Sequence, residues 1–364
     1  MTDVTDVTDA TELEAAAQAC LPRDVFDYVS GGSEDESTMR ANVAAWEQME
    51  LWPHVLRDVS HVSTETSILG RPVATPVVVS PTAMHRLLCA DGELATARAA
   101  ARAGAVYVLS MTATTSVEEV AAEVPDSRRW LQLYLQSDRG LTRELCERAA
   151  ASGYEALCVT VDAPVVARLR RFEGGVFTVP PDLPLPNLDV RDPGWSDRVL
   201  GQLAATFSPA VTFDDLASFR EWSGLPLVVK GVVRGDDARR CIDAGAAAVS
   251  VSNHGGRQLG HCVATARALP SVVDAVDGQG EVYVDGGVRS GLDVIKALAL
   301  GAQAVLVGRP ILWGLATGGE EGVQGVLGDL TEQLARTLAY CGATHPGEVT
   351  RDLLGPFPLG GRRP

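Results

Sequence analysis

The chain has 364 residues, 46% hydrophobic and 21% charged, the make-up of a globular protein with an ample core, which excludes a disordered or fibrous one. At ~100–200 residues per domain the length suggests two domains, although barrels of alternating strand and helix run this long as one. Lys and Arg number 31 against 47 Asp and Glu, and the net charge of −16 repels polyanions over most of the surface. Neither nucleic acid nor an anionic membrane is therefore an expected partner.

Residues 1–20 read as a flexible acidic tail running into the start of a first helix, because the opening threonine/aspartate repeat lacks the basic start and apolar core of a signal peptide. Residues 21–364 read as a single domain whose first part, 21–75, is a helical cap with a few extended segments. From residue 76 onward short β-branched runs alternate with helical patterns, the mark of repeated βα units around a parallel sheet. Eight strands are expected, at 76–80, 106–110, 130–135, 157–162, 227–231, 248–253, 282–285 and 304–308. Helices are expected between them at 93–103, 117–122, 142–151, 213–222, 236–244, 264–275 and 292–300. Capping boxes at Ser116/Glu119, Thr212/Asp215 and Ser290/Asp293 open three of these. Eight such units make an α/β (β/α)8 TIM barrel, which carries its chemistry at the C-terminal strand ends.

Residues 168–210 interrupt the fourth unit as a long inserted loop, whose proline-rich run Val179-Pro180-Pro181-Asp182-Leu183-Pro184-Leu185-Pro186 excludes helix. A loop this long is either an active-site lid or a mobile excursion. Residues 318–364 form C-terminal helices and a tail. No segment reaches the ~18–20 apolar residues of a membrane helix. Seven scattered cysteines, odd in number and without a CxxC pair or a secretory leader, suit a reducing cytoplasmic setting. They form no metal-ligand spacing with the histidines.

The strongest local signal is Ser252-Asn253-His254-Gly255-Gly256-Arg257-Gln258, at the end of the sixth strand. A histidine there can act as a general base, its glycines admit a ligand to the backbone, and Arg257 can grip a carboxylate with its planar fork. Asp285-Gly286-Gly287-Val288-Arg289-Ser290 follows strand seven and Gly308-Arg309-Pro310 follows strand eight, the two loops with which barrels commonly hold a phosphate. Lys230, at the rim of an apolar strand, needs an anionic ligand or a carboxylate on a neighbouring strand. Trp130, Gln132 and Tyr134 share one face by the period of two, where the glutamine and the tyrosine hydroxyl need polar partners. Asp162 reads either as a cap or as a functional acid. His54, His61, His85, His261 and His345 read as surface or packing residues.

Together with Pro81-Thr82-Ala83-Met84, Gln132-Leu133-Tyr134, Thr160-Val161-Asp162 and Lys230, these motifs resemble the FMN-dependent 2-hydroxy acid oxidase/dehydrogenase family over residues 21–342. The family includes glycolate oxidase, lactate oxidase, mandelate dehydrogenase and hydroxymandelate oxidase, the last being nearest in character. The resemblance implies that FMN is the cofactor and that His254 removes a proton while the substrate's α-hydrogen passes to the flavin. Asp162 would stabilise the imidazolium, and Tyr134 would hydrogen-bond the reacting oxygen. Arg257 and Tyr28 would bind the substrate carboxylate. Lys230 would sit by the flavin N1 and C2 carbonyl, with Ser110, Gln132, Thr160 and Ser252 around the ring and Pro81, Thr82 and Ala83 along one face. Asp285, Gly286, Gly287, Arg289, Gly308 and Arg309 would hold the ribityl phosphate.

The expected reaction is oxidation of an aryl, mandelate-like 2-hydroxy acid to the 2-oxo acid with O2 reduced to H2O2, in a homotetramer. Alternatives are a flavin monooxygenase giving the decarboxylated acid, a dehydrogenase with another acceptor, or a flavin barrel with an altered substrate. Thr112, where glycolate-oxidase-like members carry tryptophan, leaves room for the larger substrate. The sequence departs from the family at Leu169, where a second carboxylate-binding arginine is usual, and at Phe172, where an acid is usual. Arg168 or Arg170 would then swing in to replace the missing guanidinium.

Overall fold

The computed structural model describes residues 9–172, 177–188 and 206–355. Three helices precede the barrel, α1 (Ala10–Cys20), α2 (Arg23–Ser30) and α3 (Ser37–Glu47). A two-stranded antiparallel hairpin, β1 (Thr66–Ile68) with β2 (Arg71–Val73), follows. The frayed tail expected at the N-terminus falls mostly outside the described residues. What is described of it is helical from Ala10, with the Asp9 side chain accepting from the Thr11 N–H.

The barrel itself runs β3 (Val77–Val79), α4 (Gly92–Arg102), β4 (Tyr107–Ser110), α5 (Val117–Glu123), β5 (Arg129–Leu133), α6 (Arg139–Ala151) and β6 (Ala156–Thr160). After the inserted loop come α7 (Asp215–Ser223), β7 (Leu227–Val232), α8 (Gly235–Asp243), β8 (Ala248–Val251), α9 (Thr265–Val276), β9 (Glu281–Val284), α10 (Gly291–Ala299), β10 (Ala304–Val307) and α11 (Arg309–Tyr340). Strands β3 to β10 pair in parallel and close on themselves through β10 and β3. This is the (β/α)8 barrel expected from the sequence, with its helical cap and its interruption after the fourth strand.

The strand period of two explains both the core and the site. Interior positions at the N-terminal and middle levels are apolar: Val78, Val106, Val108, Trp130, Ala156, Cys158, Val228, Ala248, Tyr283, Ala304 and Leu306 form one buried cluster. Ile68 and Val73 of the hairpin join it and plug the N-terminal mouth, where Glu281 accepts from the Leu69 N–H at 3.0 Å. One interior step further along, the same faces present Ser80, Ser110, Gln132, Thr160, Lys230, Ser250 and Asp285, all buried. Polar groups at that depth must find partners, so this end of the barrel is built for chemistry rather than packing. The outward faces of the strands pack against the helices in a second, larger cluster.

Two of the expected capping boxes, Ser116/Glu119 and Ser290/Asp293, form completely. The third is only half made. Helix α7 begins at Asp215 itself, so its carboxylate accepts from the Thr212 N–H and hydroxyl without the return bond, and Arg139 also takes that carboxylate at 2.6 Å. Parts of the inserted loop are tied down: Asn187 accepts from the Val117 N–H at 3.0 Å and donates to the Thr115 carbonyl, capping α5. Residues 173–176 and 189–205, where the rest of that loop lies, are outside the described residues. Among the described residues no helix is long and apolar enough to cross a membrane.

Candidate active site

A cavity of about 230 Å³ opens at the C-terminal ends of the strands. The polar layer forms its floor. The Ser110 hydroxyl donates to Gln132 Oε1 at 3.1 Å and Gln132 Nε2 donates to Thr160 Oγ1 at 3.1 Å, a chain that crosses β4 and β5 at matched register and reaches the residue two beyond Gln132's partner Cys158 on β6. Pro81, Thr82 and Ala83, after β3, line another side.

Lys230, on β7, donates to the Ser252 hydroxyl at 2.9 Å and lies 3.0 Å from Asp285 Oδ2, with Ser252 donating to the same oxygen. Burial opposes the ammonium, but the Asp285 and Asp162 carboxylates outweigh it and hold its pKa above the ordinary lysine value. The anion required by a buried lysine is thus supplied in part by the protein. The Asp285 carboxylate is engaged with Lys230 and Ser252 through Oδ2. Its Oδ1 is buried without a partner, an acceptor suited to a ligand hydroxyl.

His254 sits on a strained turn. It adopts φ +58°, followed by Gly255 at +61° and Gly256 at +79°, and its own N–H is held by the Ser252 hydroxyl at 3.1 Å. Gly256 is obligatory there, because a Cβ would lie 2.5 Å from the Met39 nitrogen. Asn253 reinforces the turn, exchanging reciprocal 2.8 Å hydrogen bonds with Asn42 of α3. The imidazole is aimed by this backbone and by Asp162, whose Oδ1 lies 2.9 Å from His254 Nδ1. Burial pushes the Asp162 carboxyl up, but the His254 charge and hydrogen bond, with Lys230, outweigh it and leave its pKa below the usual carboxylate range. Asp162 therefore caps no helix. With Nδ1–H directed at Asp162, His254 Nε2 is left free to accept a proton.

Tyr28 and Tyr134 line the cavity, stacked on Phe177 and Phe207 at 4.4 and 4.5 Å. Burial raises the pKa of both phenols, keeping them protonated donors. The Arg257 guanidinium lies 5.0 Å from the Tyr28 ring centroid, and its Nη1 donates to the carbonyls of Tyr28 at 2.6 Å and Gly31 at 3.0 Å. Those are orphan carbonyls at the C-terminus of α2, where a cation is favourable.

At the far end Gly286, Gly287, Gly308, Arg289 and Arg309 meet. Gly287, at φ +84°, passes so close to α3 that a Cβ would lie 2.5 Å from the Asn42 carbonyl. Arg309 donates to the carbonyls of Gly255 and Gly31, its Nε is buried without a partner, and neither it nor Arg289 has an acid in ion-pair contact among the described residues. Burial, with repulsion from Arg257 and Arg289, pushes Arg309 down to about 9, and burial lowers Arg289 as well. Two desolvated guanidiniums, two glycines at positive φ and the N-terminus of α11 together need a compact anion. A ribityl phosphate fits that demand, and the polar floor fits the edge of a flavin ring.

Arg168 and Arg170 do not enter the cavity. The Arg170 N–H donates to the Gly32 carbonyl and the Glu34 N–H to the Arg168 carbonyl, so Leu169 is bridged antiparallel to Ser33. The pleat then turns Leu169 inward, buried in the cavity wall, and leaves both arginines exposed. Arg171 is bound to Glu36 at 2.8 Å. His85, expected as a surface or packing residue, is wholly buried, with Nε2 2.7 Å from Thr82 Oγ1 and Nδ1 3.0 Å from Thr96 Oγ1. Its backbone N–H donates to Glu93, which also accepts from Thr114 and Thr115. The lone acid in the alanine-rich Glu93 helix is the one sequence signal that points to this knot. No cluster of potential metal ligands occurs among the described residues.

The family model described as FMN-dependent dehydrogenase matches residues 17–356. L-lactate oxidase of Nostoc sp. is 46% identical over 97% of this chain and 100% of its own length. 2-Hydroxyacid oxidase 1 of Homo sapiens is 41% identical over 96% of each chain. Among solved structures, mandelate oxidase with (S)-4-hydroxymandelic acid superposes with a TM-score of 0.89 at 40% identity, covering 96% of this chain and 98% of that one.

Proposed function

The chain belongs to the FMN-dependent dehydrogenase family, and from that premise we propose that it oxidises 2-hydroxy acids bearing an aryl or comparably large apolar side chain to 2-oxo acids, with O2 reduced to H2O2. The observation that carries this reading is the His254–Asp162 pair at 2.9 Å beside the Arg257 guanidinium and the Tyr134 hydroxyl. These groups supply a base, a charge that stabilises it once protonated, a cation for the acid end of the substrate and a donor for the reacting oxygen. Bound FMN supplies the two-electron acceptor for the hydrogen on the substrate's 2-carbon.

In this reading His254 Nε2 takes the hydroxyl proton, and the imidazolium so formed is held in place and stabilised by Asp162. Tyr134 and Tyr28, kept protonated by burial, donate to the alkoxide and to the carbonyl end. Ser110, Gln132, Thr160 and Lys230, with Ser252 behind the lysine, hold the ring edge, and Lys230 offsets negative charge there. Pro81, Thr82 and Ala83 lie along one ring face. Gly286, Gly287, Arg289, Gly308 and Arg309 hold the phosphate, and Asp285 serves the ribityl hydroxyls.

The aryl preference is supported by the small Thr112 in the wall, by the apolar Val165, Val166, Leu169 and Phe207 around the mouth, and by the likeness to mandelate oxidase. The 46% identity to L-lactate oxidase favours a second reading with a short aliphatic substrate. Anaerobic mixing of the holoenzyme with (S)-mandelate, L-lactate and glycolate separates the two by which acid bleaches the flavin fastest. Admitting oxygen then yields stoichiometric H2O2 and 2-oxo acid. A decarboxylated product, or no bleaching by any 2-hydroxy acid, refutes the oxidase reading.

A further inference from the structure

We propose that His85 is a positioning residue for the cofactor: its ring holds the Thr82 hydroxyl back from the cavity, so that the strip of residues 81–83 offers the flavin a methyl group at Thr82. The inference rests on the placement of the flavin ring against that strip and goes beyond it to the group that fixes the strip's surface.

His85 takes no part in the chemistry at His254, yet both of its ring nitrogens are engaged. Nε2 lies 2.7 Å from Thr82 Oγ1, three residues back in the chain, and Nδ1 lies 3.0 Å from Thr96 Oγ1 on α4. A second set of bonds fixes where the ring stands. Glu93, also wholly buried, accepts from the His85 N–H at 2.9 Å, from the Thr114 N–H at 2.9 Å and from the Thr115 hydroxyl at 3.0 Å. It occupies the first turn of α4, where the helix dipole favours a carboxylate. Between Ala83 and His85 the chain passes through Met84 at φ +57°, a left-handed conformation that a non-glycine residue keeps only where its surroundings over-determine it. The Met84 N–H reaches the Thr112 carbonyl at 3.3 Å, so the turn after β3 is tied to the loop after β4 at several points.

Thr82 stands between this knot and the cavity. With its hydroxyl on His85, its Cγ2 turns toward the loop after β10, 3.7 Å from where a Cβ on Gly308 would lie, and both residues line the cavity. A threonine has few rotamers open to it, because its Cβ is branched, so one bond to the hydroxyl decides which group faces the cavity. Among the described residues the His85 ring is the one hydrogen-bond partner of that hydroxyl. Released from the ring, the hydroxyl would turn against the flat face of the flavin without a partner, and a buried polar group left unpaired there weakens binding. His85 therefore acts on the flavin through Thr82, without touching it.

Two amides separate the two halves of the ring. His85→Gln carries its amide to the position of Nε2 and keeps a partner for Thr82, whereas His85→Asn reaches only the position of Nδ1 and keeps Thr96. FMN release is followed on diluted holoenzyme as the recovery of free-flavin fluorescence, alongside the visible flavin spectrum. His85→Asn is expected to release FMN about 3- to 10-fold faster than wild type, the loss of one hydrogen bond, and to shift the flavin bands, while His85→Gln stays within about twofold. Combined with Thr82→Ala, the two substitutions should become equal, because the group through which His85 acts is gone. Thr82→Ala alone is expected to speed release as His85→Asn does, and it carries the test if the asparagine variant fails to fold. Equal release from His85→Gln and His85→Asn, or a difference that persists with Thr82→Ala, overturns the inference and leaves the flavin's placement standing. Wild-type release and spectrum in Thr82→Ala overturn that placement and the inference with it.

Discussion

Replacing Asp162 by Asn isolates the charge behind His254. The Asp162 Oδ1 that lies 2.9 Å from His254 Nδ1 is retained as an amide oxygen, and the amide nitrogen takes the place of Oδ2, which is buried without a partner. The ring orientation and tautomer are therefore kept while the negative charge is lost. A hydrogen bond to a charged group contributes about 1.5–3 kcal/mol, and unit charges about 4 Å apart at an effective dielectric of 20 give roughly 4 kcal/mol as a ceiling. Only the protonated imidazole of the transition state gains this stabilisation, so the loss falls on the chemical step. Stopped-flow anaerobic reduction is expected to slow by about 10- to 1000-fold, with FMN retained and substrate dissociation constants changed by less than about threefold. A reduction rate within threefold of wild type refutes the proposal that Asp162 stabilises the imidazolium. Loss of flavin from the variant would show that Asp162 acts on the fold instead.

Gly287→Ala forces a Cβ to within 2.5 Å of the Asn42 carbonyl at a backbone φ of +84°. The variant is expected to lose most of its flavin on gel filtration, at a cost of about 1–3 kcal/mol in backbone strain alone; full retention contradicts the role of this loop. Thr112→Trp fills the wall beside Ala83 and should lower kcat/KM for mandelate at least tenfold more than for glycolate, read in an oxygen electrode. Glu93→Gln should destabilise the protein by about 2–4 kcal/mol, because its amide faces donors that require a carboxylate. Burial raises the Glu93 carboxyl, but His85 and the Thr114 donors outweigh it, so its folded pKa lies below the unfolded value of about 4.3. Its stabilisation is therefore whole above that value and is lost as pH falls through the folded pKa. Melting curves from pH 8 to pH 3 should show a constant gap between wild type and variant above about pH 5, narrowing below about pH 4.

The barrel was legible because its strands carry one apolar face over most of their length and switch to polar residues only at one end. Val106, Val108 and Ser110, or Ala156, Cys158 and Thr160, announce both the strand and the side on which the site lies. The loops were legible as motifs because their chemistry is local: a histidine among glycines, and arginines beside glycines. What depended on contacts between distant segments was not legible. The antiparallel bridge of Leu169 to Ser33 decides which way a run of arginines points, and no local pattern encodes it. The commitment of Arg257 to the α2 carbonyls joins residues more than 200 apart in sequence. The His85–Glu93 knot draws donors from the segments after β3 and after β4, so His85 reads in sequence as an ordinary packing residue.

The central claim is that His254 is the base that opens oxidation of the 2-hydroxy group, and His254→Ala tests it most directly. Mixed anaerobically with mandelate, the yellow variant should keep its FMN and stay oxidised over times in which wild type bleaches completely. Reduction at the wild-type rate would contradict the account.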